Sequence, residues 1–109
     1  MPSRTEHFHA LVAQQPENEL FRFSLAQTLV AEGRFAESLP HFEICVLKKP
    51  DWMMAWIGLG KTLLQLGAKE KARNALTTAL QLSIAQEHQE PESELRALLK
   101  DLDPSLSHD

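Results

Sequence analysis

Several things are scarce in this sequence, and each scarcity narrows what it can do. There is no tyrosine and a single cysteine, Cys45, so no disulfide can close within the chain and nothing in it calls for an oxidising compartment. No apolar run approaches the roughly 20 residues that a membrane-crossing helix needs. The opening Met1-Pro2-Ser3-Arg4-Thr5-Glu6-His7 has no apolar stretch of the kind a secretory leader carries. A cytoplasmic setting with no membrane partner is therefore expected. Positive charge is in deficit, with 11 Lys and Arg against 15 Asp and Glu and a formal net charge of −4. The nearest approach to a basic cluster is Lys48-Lys49, too little to neutralise a run of phosphates, so no nucleic-acid partner is expected. Only 4 glycines are present and β-branched residues seldom fall together, which leaves little from which to build a sheet.

The motifs of common chemistries are missing too. There is no HExxH, CxxC, GxSxG or phosphate loop. The carboxylates fall in solvated runs such as Glu87, Glu90, Glu92 and Glu94, and no nucleophile has a base beside it. His7 and His9 stand two apart and point to different faces of a helix. His41 and Cys45, at i and i+4, share a face and could chelate a metal. Cys45, however, falls where Ala79 stands 34 residues later, so a small packing residue is the better expectation. A small metal-dependent enzyme is the competing reading from another functional class, and it lacks a ligand set. No catalytic residue, metal or cofactor is expected.

What is present is a helical composition, dominated by Ala, Leu, Gln, Glu and Lys. At 43% hydrophobic and 24% charged, the 109 residues suit one folded domain spanning 1–109. The chain also repeats itself. His7, Phe8, Val12 and Pro16 match His41, Phe42, Val46 and Pro50 at an offset of 34, and Leu25, Thr28, Leu29 and Gly33 match Leu59, Thr62, Leu63 and Gly67 at the same offset. Within each unit the leucines recur at helical spacing. Gly33 and Gly67 suit the left-handed position that ends a helix, and Pro16 and Pro50 stop the helices before them. Asp51 is a plausible cap for the helix near Trp52. Pro91, Glu92 and Glu94 suit a helix start, and Leu95, Leu98, Leu99 and Leu102 form one stripe ended by Pro104. These signals predict six helices, over 3–14, 17–32, 35–48, 52–66, 69–88 and 91–102, with a frayed tail after Asp103. Pro40 conflicts with the third: it either kinks that helix or forces a later start.

A 34-residue helix-turn-helix unit of this kind resembles the tetratricopeptide repeat family. Trp56, Leu59, Gly60, Leu63, Gly67, Ala72, Leu76 and Ala79 carry the signature in one unit. Leu25, Ala26, Leu29, Gly33, Phe35, Ser38, Phe42, Cys45 and Pro50 carry it in the other. Arg22 departs from it, standing where Trp56 has an aromatic, and Ile84 replaces the closing proline, so the fifth helix is expected to run long. The resemblance implies an all-α, right-handed array of antiparallel helix pairs, an alpha-alpha superhelix. Its parts would be a half repeat over 3–16, repeats over 19–52 and 53–86, a capping helix over 91–102 and a tail over 103–109. It also implies close contact between the small residues Gly60 and Ala72, and a concave groove that binds a peptide or partner helix. Carried over by position, the groove would be lined by Leu20, Phe23, Gln27, Val30, Met54, Ile57, Lys61 and Leu64. Phe23, Gln27 and Gly58 stand where a clamp for a C-terminal carboxylate would need basic residues or Asn, so such a clamp is not expected. Trp56 should be core, while Trp52, Met53 and Met54 cannot all face inward, leaving an apolar contact at the surface. The expected function is protein–protein interaction; self-association through the groove or an array end, giving a homo-oligomer, is the alternative.

Overall fold

The computed structural model describes residues 3–102, and among them six α-helices and no strand. They are α1 (Arg4–Gln14), α2 (Glu19–Ala31), α3 (Phe35–Lys48), α4 (Met53–Gln65), α5 (Lys69–Ala85) and α6 (Gln89–Leu102). Each packs chiefly on the next, and α2 also reaches α4. The tail expected over 103–109, with Pro104, lies outside the described residues.

The 34-residue offset is visible in the backbone bonding. After α1, Gln15 N–H donates to Leu11 and Asn18 N–H to Gln15; after α3, Lys49 N–H donates to Cys45 and Trp52 N–H to Lys49. The turns after α2 and α4 match as well. Gly33 and Gly67 take φ values of 74° and 81°, and the next residues, Arg34 and Ala68, donate back to Leu29 and Leu63. Even the departure at Arg22 keeps one function. Arg22 Nε donates to the Pro16 carbonyl at 3.2 Å, as Trp56 Nε1 donates to the Pro50 carbonyl at 2.8 Å. Two unlike side chains thus satisfy the same carbonyl of the repeat.

Buried side chains form three clusters. Phe42, Cys45, Ala55, Leu59 and Ala72 belong to the central one, where α2 to α5 meet. Leu76, Ala79 and Leu95 join Met53 and Ile57 where α5 meets α6, and Val12, Leu25 and Leu29 join α1 to α2. Trp56 is half-buried, packed against both larger clusters, rather than fully enclosed.

Two expectations need correction, and one alternative is decided. Asp51 does not cap α4: the cap position is Trp52, and no side chain bonds there. In the first repeat the equivalent place is held by Asn18, whose side chain accepts from Leu20 and Phe21 N–H. At Pro40 the later start is not taken: α3 begins at Phe35 and continues to Lys48, the span expected. The fifth helix stops at Ala85, short of 88, because Glu87 turns left-handed at φ 59°, and the sixth starts at Gln89 instead of 91. Gly60 faces α5, the helix that carries the small residue Ala72, and lies close beside Leu76. A Cβ on Gly60 would stand 2.5 Å from Leu76 Cδ2, so this glycine makes room for a leucine one turn beyond the small residue.

A candidate partner-binding groove

Where α2 and α4 lie side by side, they enclose a groove of about 530 Å³. Three aromatic rings organise it. Phe42, from α3, is fully buried and meets Phe23 edge-on with ring centres 5.9 Å apart; Phe23 in turn lies 4.6 Å from Trp52. Lys49 covers the outer side of Trp52 at 5.6 Å. Phe23 therefore has a fixed place in the groove wall. Gly58 keeps the wall open, since a Cβ there would collide with the Phe42 ring.

Six of the eight residues expected in the groove line it: Phe23, Gln27 and Val30 from α2, and Met54, Ile57 and Lys61 from α4. Leu20 and Leu64 do not. Leu20, in the first turn of α2, precedes the lining residues and is exposed to 60%. Leu64 packs against the two larger core clusters. The reason is geometric: equivalent positions on α2 and α4 were expected to line the groove equally, but the two helices meet it from opposite sides. On α4 the lining stripe is Met54, Gly58, Lys61 and Gln65, at i, i+4, i+7 and i+11, so Gln65 takes the place given to Leu64. Phe35 and Phe42 of α3 also line the groove. The first helices of the units do not include them; the missing side chain of Gly58, just over Phe42, is the signal that could have found Phe42.

Among Trp52, Met53 and Met54, Met53 is buried, Trp52 half-buried and Met54 exposed to 46%, so the apolar surface expected there belongs to the groove. A second hollow of about 390 Å³ continues past Met54, Ile57 and Lys61 towards α6, where Glu90, Pro91 and Glu94 form its wall. Lys61 Nζ meets Glu94 Oε2 at 3.1 Å across this hollow.

His41 and Cys45 do not converge on a common point. The Cys45 thiol donates to the Glu19 carbonyl at 3.6 Å, and burial raises its pKa to about 11, which keeps it protonated and a poor metal ligand at neutral pH. His41 Nδ1 lies 3.3 Å from Arg22 Nη1. Because a guanidinium can only donate, Nδ1 accepts and the imidazole is neutral there. Burial first, then Arg22 and His9, hold the His41 pKa below its ordinary value.

The family model of the tetratricopeptide repeat matches residues 23–87, a span that includes the whole groove between α2 and α4. The chain belongs to the tetratricopeptide repeat family. Among solved structures, this tetratricopeptide chain is similar to protein BPP2914 from Bordetella parapertussis, at 33% identity and a TM-score of 0.79, over 94% of this chain and 89% of that one. PcrH from Pseudomonas aeruginosa shares the fold at a TM-score of 0.81 and 19% identity, over 90% of this chain and 75% of that one. So does a tetratricopeptide repeat domain protein from Salinibacter ruber, with a TM-score of 0.72 and 23% identity over 87% of this chain and 96% of that one. No curated protein matches the sequence. Tetratricopeptide arrays in general present extended surfaces for binding other proteins. Among the described residues no helix is long and apolar enough to cross a membrane.

Proposed function

We propose that this tetratricopeptide chain is a peptide-binding module without catalytic activity, and that the groove between α2 and α4 is its working face. The observation that carries the reading is an open, mainly apolar groove whose wall is held rigidly by the Phe23, Phe42 and Trp52 rings. A partner side chain seated there would gain roughly 25 cal/mol per Å² of apolar area removed from water, before ordering costs. Phe23 needs no rearrangement to receive it, and Met54 can adapt its shape. The exposed amides of Gln27 and Gln65 can hydrogen-bond a partner backbone without adding charge.

The test selects a displayed library of random 12-residue peptides on the wild-type protein. The peptide selected is then measured on a Met54→Glu/Gln27→Glu variant, whose two changes sit on exposed groove positions. Binding should weaken at least about tenfold while the melting temperature stays within a few degrees. Unchanged binding would move the working face elsewhere. Sedimentation of the wild-type chain decides the self-association alternative: a dimer that the variant converts to monomer would make a second copy the occupant and overturn the peptide reading.

A further inference from the structure

The groove and the hollow beside it form one channel that crosses α4, because Met54, Ile57 and Lys61 belong to both. Their chemistry differs along its length. Between α2 and α4 the lining is apolar with neutral amides. Between α4 and α6 the wall carries Glu90 and Glu94. Among the described lining residues the only cation is Lys61, and Glu94 already engages it. Two carboxylates therefore stand against a single ammonium at that end of the channel. Glu90 has no ion pair among the described residues, whereas Glu92, outside the channel, is paired with Arg96.

Helix chemistry accounts for part of this. The positive end of α6 favours acidic residues in its first turn, so Glu90 is at home there without an ion pair, as Glu92 is with one. That effect fades after one turn and does not account for Glu94. Glu94 faces across the hollow onto Lys61, which holds its carboxylate at the end of the apolar stretch.

We infer that the groove selects a peptide segment in which apolar anchors are flanked on one side by a Lys or Arg. The anchors seat between α2 and α4, and the basic side chain reaches Glu90 and Glu94. This rests on the groove being the working face. It excludes an acidic segment or a free C-terminal carboxylate as the preferred occupant, because either would place negative charge beside Glu90 with Lys61 already engaged. A chain with a net charge of −4 also draws a basic segment at long range.

The test uses the peptide selected from the 12-residue library, its counterpart with each Lys or Arg replaced by Gln, and four proteins: wild type, Glu90→Gln/Glu94→Gln, Lys61→Gln and Met54→Glu/Gln27→Glu. On the wild type the Gln counterpart should bind about 2- to 5-fold more weakly, the range expected for partly exposed ion pairs. The difference should shrink at high salt. It should vanish or reverse on Glu90→Gln/Glu94→Gln, where Lys61 is left alone. It should grow on Lys61→Gln, where both carboxylates are released. A residue that merely braced α6 against α4 would give no such opposite signs. Selected peptides without Lys or Arg that still lose affinity on Met54→Glu/Gln27→Glu would overturn this inference and leave the groove reading standing. Selection of no peptide sensitive to Met54→Glu/Gln27→Glu would overturn both.

Discussion

His41 shows how a single side chain joins three helices and ties stability to pH. It lies on α3, accepts from Arg22 on α2, and its ring centre is 6.4 Å from that of His9 on α1. Glu37 on α3 senses His9, and Glu19 on α2 lies near Cys45, one turn along from His41. Because the folded-state pKa of His41 is lowered, the unfolded chain takes up a proton at a higher pH than the folded one. Stability from this site is therefore fully present above the ordinary value of 6.5 and is lost as pH falls below it, until the folded value is reached. The carboxylates with lowered pKa values, Glu17, Glu32 and Glu37, start from 4.5 and matter only at lower pH. Urea midpoints between pH 7.5 and 5.5 should accordingly fall for the wild type and fall less for His41→Gln, whose amide oxygen can still accept from Arg22. Equal slopes in the two proteins would mean that His41 titrates alike folded and unfolded.

At the scale of elements, the turns separate what a sequence can announce from what it cannot. Gly33 and Gly67 mark the ends of α2 and α4 because left-handed backbone is cheap only for glycine, and both residues adopt it. The end of α5 uses the same turn, with His88 N–H donating to the Ser83 carbonyl, but places Glu87 at the left-handed position. No local signal marks it, which is why the helix was expected to run to 88. Glu87→Gly should remove that strain and stabilise the protein by about 0.5–1 kcal/mol, read as a higher melting temperature. An unchanged or lower value would mean that α6 does not depend on this turn. The groove divides in the same way. The helical period and the repeat locate the stripes of α2 and α4, since those depend on spacing alone. The flank each helix turns to the groove depends on how the pair is placed, so Leu64 was expected where Gln65 stands. The Phe42 ring of α3 enters through the gap left at Gly58.

The six helices form a row, 52 × 27 × 20 Å, in which contacts run from each helix to its neighbours. Such arrays loosen from their ends, because an end helix has one neighbour instead of two. Leu95 is the fully buried residue of α6, packed with Leu76 and Ala79 of α5. Leu95→Ala should cost about 2–5 kcal/mol locally. Amide exchange should then rise across α6 while α2 and α3 keep their protection; a uniform rise would show one cooperative unit in place of a row. The positions of the two tryptophans have a consequence of another kind. Trp52 touches Phe23 in the groove wall, and Trp56, four residues on, donates to the Pro50 carbonyl, so both indoles sit at the junction between repeats, and with no tyrosine in the chain they dominate its emission. The protein's own fluorescence is thus a local gauge: it brightens, dims or shifts with events at the groove, and is nearly blind to α1 unravelling at the far end.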